Sequence, residues 1–256
     1  MAETVVISER LKTCLGTARE VVAFTGAGMS AESGVPTFRG EDGLWKKFRP
    51  EELARFDAFI RNPDLVWEWY AYRKKLIAEV RPNAGHEALA ALQDLIPVVT
   101  VVTQNVDNLH RRAGSRNVLE LHGNIERNYC IGCGKPYENE TAMALGEAPR
   151  CLSCGSLIRP DVVWFGEELP AEEWTEAMRA CRRADLLLVI GTSAVVYPAA
   201  SLPYAAIEAG AYVVEINLER TEFSGRADEF LSGKSGEILP LLLNEAKAQR
   251  IHESRN

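Results

Sequence analysis

The chain has 256 residues, enough for one large domain with an inserted module or for two domains. Its apolar fraction of 46% is ample for a core, and no apolar run approaches the length of a membrane helix. The net charge of −7 argues against a broad nucleic-acid surface, though not against binding basic protein segments.

The first ten residues lack the basic start and long apolar run of a signal peptide. Periodicity predicts a helix over 8–18 and a strand over 21–25, then helices over 63–80 and 85–95. A strand follows over 98–103 and a shorter one over 118–121. Beyond them come a helix over 171–182, a strand over 185–190, a helix over 198–209, a strand over 212–216 and a helix over 236–247. The polar tail 247–256 is expected to fray. Continuous β-branched runs alternating with helices predict a parallel sheet covered on both faces. Two stretches break the alternation: 37–82, rich in aromatics and helix formers, and 127–159, which holds four cysteines. The expectation is therefore an α/β protein. Residues 1–36, 83–126 and 160–256 would build a Rossmann-like nucleotide-binding domain, and 37–82 with 127–159 a smaller helical and metal-binding domain.

The cysteines run Cys130-x2-Cys133, seventeen residues, then Cys151-x2-Cys154. Each pair forms a knuckle that aims two thiolates at one point, the spacing of a tetrahedral Zn²⁺ site. Four sulfur ligands leave no position for water, so such a site is structural and the chemistry lies elsewhere. The alternatives are a disulfide pair or a redox Cys-x-x-Cys. Cys14 and Cys181 stand alone and read as ordinary buried thiols. Thiolate metal binding without a secretion signal predicts a reducing cytoplasm.

The first strand runs into Thr25-Gly26-Ala27-Gly28, and Gly34 follows. Glycines after a first strand let the backbone approach a pyrophosphate, or merely pack a strand–helix turn tightly. The ordinary dinucleotide fingerprint is absent: the third glycine is late and no second strand with a ribose-binding acid follows within about 20 residues. Phe38, Arg39 and Trp45 sit among turn residues, as a lid or as a loop packed on the insertion. Gln104, Asn105 and Asp107 cluster at the carboxyl end of a predicted strand, where open α/β sheets bind ligands, or where a side chain caps the next helix. Gly191, Thr192 and Ser193, and likewise Asn217, repeat that placement. His122 ends another strand beside the cysteine module, as a general base near neutral pH or as a structural imidazole; His86, His110 and His252 lack that context.

Taken together these segments resemble the sirtuin family of NAD-dependent protein deacylases over nearly the whole chain. The carrying motifs are Gly26-Ala-Gly-Met-Ser-Ala-Glu-Ser-Gly-Val-Pro-Thr-Phe-Arg39, Gln104-Asn-Val-Asp107, Leu121-His-Gly-Asn124, the four cysteines, Val162-Val-Trp-Phe-Gly-Glu167, Gly191-Thr-Ser193 and Ile216-Asn217. The resemblance implies NAD as co-substrate and one structural Zn²⁺. It implies NAD contacts from Gly26, Ala27, Gly28, Ser30, Glu32, Thr37, Phe38, Arg39, Trp45, Gln104, Asn105, Asp107, Gly191, Thr192, Ser193, Asn217, Leu218, Glu219 and Ser235. Acylated protein lysine would enter from the opposite side and pair with Val163, Trp164, Phe165 and Gly166. Asn105 and His122 would be catalytic. Cleavage of the nicotinamide–ribose bond is followed by attack of the acyl oxygen, and His122 deprotonates the ribose hydroxyl. The products are free lysine, nicotinamide and O-acyl-ADP-ribose.

Tyr70 and Arg73 are three apart on a predicted helix and share a face. They match the family's Tyr-x-x-Arg acyl-pocket pair, which implies a preference for succinyl or malonyl groups. The bland reading is a solvated arginine. The competing functions are mono-ADP-ribosyl transfer with the same NAD cleavage, and non-catalytic NAD sensing. Nicotinamide release that requires acyl peptide separates them. No membrane or direct nucleic-acid partner is expected, and the oligomeric state stays open, with a monomer compatible.

Overall fold

The β-branched runs pair with one another, and each is buried on both faces. The structure, a computed structural model, describes residues 5–37, 49–138 and 147–253. Six strands form one sheet: β1 (Glu20–Thr25), β2 (Val98–Thr103), β3 (Val118–Glu120), β6 (Leu186–Ile190), β7 (Tyr212–Asn217) and β8 (Glu229–Ser232). All neighbours are parallel, in the order β3-β2-β1-β6-β7-β8. Counting only these strands, the first and fourth are central neighbours, as in a doubly wound nucleotide-binding sheet.

Alternation along the strands divides the core. Val21, Ala23, Val101, Leu186, Leu188 and Val214 pack with the helices Glu9–Thr17, Ala84–Leu92 and Ser235–Glu253. Val22, Phe24, Val102, Leu187, Val189 and Val213 pack on the other face with the helices Ala171–Arg183 and Leu202–Glu208. A third core joins Leu53, Phe59, Trp67, Tyr70, Ile77, Cys130, Cys151, Ile158 and Trp164. It lies in a smaller domain that holds the cysteines. There the helix Pro63–Glu79 begins where the Asn62 side chain accepts the Leu65 N–H, with proline in its first turn. A two-stranded antiparallel ribbon, β4 (Gly123–Cys130) and β5 (Ile158–Val162), carries the chain between the domains.

The expected strands over 21–25, 98–103, 118–121, 185–190 and 212–216 match β1, β2, β3, β6 and β7 to within a residue or so. The polar β4, with its bulge between Asn124 and Asn128, lacks the alternation that marks a strand, and β8 buries only Leu231. The tail differs from expectation. Its helix continues to Glu253, because Arg250 donates to the carbonyls of Leu15 and Ala18 and ties it to the first helix. Cys181 is fully buried, with its thiol pushed up to about 12 by burial, whereas Cys14 is only half-buried. Among the described residues no helix is long and apolar enough to cross a membrane.

Candidate active site

The carboxyl ends of β1 and β6 meet at the switch point of the sheet, where two loops touch through glycine. Gly28 N donates to Gly191 O at 2.8 Å, and Gly26 N to Ile190 O at 3.0 Å. A Cβ on Gly28 would lie 2.8 Å from Gly191 Cα, and one on Gly26 would lie 2.6 Å from Thr192 Cβ. Gly191 itself has φ +55. The glycines thus serve the close packing of two strand-end loops. The same loops form one wall of a cleft of about 1070 Å³.

That cleft gathers Gly26, Ala27, Gly28, Glu32, Thr37, Gln104, Asn105, His122, Gly191, Thr192, Ser193, Asn217, Leu218, Glu219 and Ser235. Its other wall brings Tyr70, Arg73, Val163, Trp164, Phe165 and Gly166 from the smaller domain and the crossover. Two expected residues lie behind the wall instead: Ser30 and Asp107 are buried. Phe38, Arg39 and Trp45 lie outside the described residues. Val196, Tyr197, Arg220 and Lys234 also line the cleft without having been singled out in the sequence. Lys234 follows the end of β8, so the strand-end rule would have found it had β8 been visible, whereas Arg220 lies three residues past the end of β7, a strand the sequence did show.

Hydrogen bonds hold the wall rigid. Gln104 Nε2 donates to Thr192 Oγ1 at 2.9 Å. Asn105 commits its amide N–H groups to Gly26 O at 2.9 Å and Ser30 Oγ at 3.2 Å, which presents its carbonyl oxygen as the group left for a ligand. Asp107 accepts Leu109 N at 3.0 Å from the position before Asn108, the N-cap of the helix Leu109–Arg112, so it is not itself that helix's cap. Burial raises its carboxyl, opposed by the Ser30 hydroxyl and by the charges of Arg73 and Arg112. Behind them the buried rings of His86 and His110 lie 4.8 Å apart, His86 facing Ser30 and His110 facing Thr25. Burial pushes His86 down to about 4 and holds His110 well below its ordinary value, so both are neutral supports for the wall.

His122 follows β3 and is half-buried. Its Nδ1 lies 2.9 Å from Gln104 O, a carbonyl that can only accept. The proton therefore sits on Nδ1, and Nε2 carries the free lone pair. Burial lowers the imidazole below its ordinary value, and the Gln104 carbonyl partly offsets this. The next residue, Gly123, has φ +79, and a Cβ there would stand 2.2 Å from Asp161 O. Only glycine lets the chain turn into β4 while His122 O accepts Val163 N at 2.9 Å.

On the opposite wall Tyr70 and Arg73 are buried, 2% and 8% exposed, which excludes a solvated arginine. The guanidinium lies 5.9 Å from the centre of the Tyr70 ring and 5.8 Å from that of Trp69. Burial lowers Arg73, with the charge of Asp107 acting against it, and raises the Tyr70 phenol.

Away from the cleft, the sulfurs of Cys130, Cys133, Cys151 and Cys154 all lie within 4.8 Å of one another. Two of the separations are 3.4 and 3.7 Å. Four sulfurs at Zn–S of about 2.3 Å in a tetrahedron stand roughly 3.8 Å apart, so the set fits one closed, structural Zn²⁺ and not a disulfide.

The Sir2 family profile matches residues 26–198. An NAD-dependent protein deacylase of Pyrococcus furiosus is 55% identical over 231 residues, covering 88% of this chain and 92% of that protein. One from Archaeoglobus fulgidus is 47% identical over 241 residues, covering 94% and 98%. A solved Sir2 homolog–NAD complex superposes with a TM-score of 0.89 at 46% identity, covering 97% of this chain and 98% of that one. A Sir2 structure with a deacetylated p53 peptide and 3′-O-acetyl ADP-ribose gives a TM-score of 0.84 at 37% identity, covering 93% and 97%. The chain belongs to the Sir2 family of NAD-dependent protein deacylases, with NAD as co-substrate.

Proposed function

We propose that this chain removes acyl groups from protein lysines and accepts acidic acyl groups, succinyl or malonyl, beside acetyl. The observation that carries the acidic preference is the burial of a guanidinium and a phenol together in one wall of the cleft. A distal carboxylate there gains charge-assisted hydrogen bonds, worth more in a desolvated site than in water.

The NAD contacts follow the strand-end wall from Gly26 to Ser235, with Asn105 and His122 where that wall meets the acyl-lysine side. NAD supplies the scissile nicotinamide–ribose bond and the ribose hydroxyl. The Asn105 carbonyl oxygen orients the reacting end, and the packed glycine loops exclude water from it. Nε2 of His122 takes the hydroxyl proton, because Nδ1–H is held by Gln104 O. Segment 163–166 receives the substrate backbone, a pairing that reads little side-chain sequence. In the same reading the large domain comprises residues 1–36, 83–126 and 160–256 and the small one 37–82 and 127–159, supported by the separate third core.

The test is a panel of matched acetyl, malonyl and succinyl peptides with NAD, on the wild type and on Arg73→Met. Removing one member of a buried charged pair costs on the order of 2–5 kcal/mol. Arg73→Met is expected to lower kcat/KM for the succinyl peptide by that amount, mainly through KM, and far less for the acetyl peptide. Equal losses on both would make Arg73 a fold or tunnel-wall residue.

A further inference from the structure

We propose that Trp164 is a positioning residue for acyl recognition that acts through Tyr70. This rests on the reading that Tyr70 faces the acyl group. Both side chains are buried, each 2% exposed, and the indole Nε1–H donates to Tyr70 Oη at 2.8 Å. An indole nitrogen only donates, whereas a phenol both accepts and donates. With Trp164 as its donor, the Tyr70 hydroxyl directs its own proton away from the indole. It is thereby presented as a donor to an acceptor in the cleft that both residues line. Accepting one hydrogen bond also polarises the O–H toward donating the next.

Trp164 is itself held more firmly than a side chain that only lines a tunnel. The Arg159 guanidinium lies 3.6 Å from the centre of its ring. Arg159 is buried and pairs with both carboxylate oxygens of Glu167. The same carboxylate accepts Trp164 N at 2.8 Å, and Arg159 also donates to Val162 O at 2.8 Å. The Phe59 ring packs at 5.2 Å on the indole. Arginine, glutamate, tryptophan and tyrosine thus form one chain of contacts from the start of β5 to the acyl wall. The ligand class it fits is an acyl group with an acceptor at its far end, a carboxylate above all.

Trp164→Phe keeps an aromatic ring under Arg159 but removes the N–H donor together with part of the bicyclic ring. The experiment measures kcat and KM for matched acetyl and succinyl peptides with wild type, Trp164→Phe, Tyr70→Phe and the double variant. The succinyl-to-acetyl ratio of kcat/KM is expected to fall roughly 3- to 10-fold in Trp164→Phe, the size of one neutral hydrogen bond, through KM. No further fall is expected when Tyr70 is already phenylalanine. Additive losses, or an equal loss on both peptides, would overturn the proposal. Wild-type enzyme with no acidic-acyl turnover would defeat the proposed function instead. The cycle is then read on the acyl peptide turned over best, where coupling supports the Trp164 role and additivity ends it. Should Trp164→Phe not fold, 3-benzothienylalanine at 164 keeps the bicyclic shape without the N–H and enters the same cycle.

Discussion

The decisive feature at the scale of single residues is which nitrogen of His122 carries the proton. A histidine at a strand end has two possible proton positions, and the Gln104 carbonyl at 2.9 Å holds the proton on Nδ1 and leaves Nε2 as the basic nitrogen. His122→Ala is expected to keep NAD binding and to lose about two to four orders of magnitude in turnover, the usual range for a positioned base. The pH profile has a defined sign. Burial holds the imidazole below 6.5, so the basic form is present above that pH and is lost as pH falls through the lowered value. Near-normal turnover by the alanine variant, or an acid limb centred above pH 6.5, would remove His122 from that role. The cleft residues at strand ends were legible because a parallel sheet binds at its carboxyl edge. The supports behind them were not. Ser30, His86 and His110 act through partners 56 to 85 residues away, and local pattern carries no trace of such contacts.

Among the elements, the strand-end loops decide how closely the two halves of the sheet approach. Spacing left two uses open for Gly26 and Gly28, phosphate approach or tight packing. The contacts with Gly191 and Thr192 show that packing is required whatever else the loop does. Gly28→Ala brings a methyl to 2.8 Å from Gly191 Cα, backbone that cannot step aside as a flexible side chain would. Overpacking of this kind costs about 1–3 kcal/mol, and the strain falls on the wall that lines the cleft. The variant is expected to melt lower and to bind NAD more weakly, in thermal denaturation and calorimetric titration. Unchanged values in both would mean that the loops are free to separate. The central strands were legible because each is a continuous apolar run. β4, β5 and β8 were not, since each is partly polar or short, and their pairing is set by the crossover and by the sheet they join.

Across the whole molecule, the zinc site and the cleft wall that carries Tyr70 share one core. Cys130 and Cys151 are buried in the same cluster as Trp67, Tyr70, Ile158 and Trp164, and Trp67 Nε1 donates to Ile158 O at 2.7 Å. The sheet packs around two other clusters, to which the cysteine ligands contribute nothing. A metal held by four thiolates contributes its binding energy to folding directly, so its loss removes several kcal/mol from the domain that contains it. The consequences for the two substrates then differ. Chelation, or Cys151→Ala, is expected to loosen the wall that holds Tyr70 and Arg73 while the strand-end wall stays on its own core. Acyl-peptide KM should therefore rise more steeply than the NAD dissociation constant. The melting temperature should drop by on the order of 10 °C or more, since each kcal/mol is worth roughly 2–4 °C in a chain of this size. Metal analysis, thermal melts and paired titrations on one preparation separate the outcomes. Zinc-free protein with an unchanged melt and unchanged peptide KM would end the structural assignment, whereas equal weakening of NAD and peptide would mean that the two domains do not have separable cores.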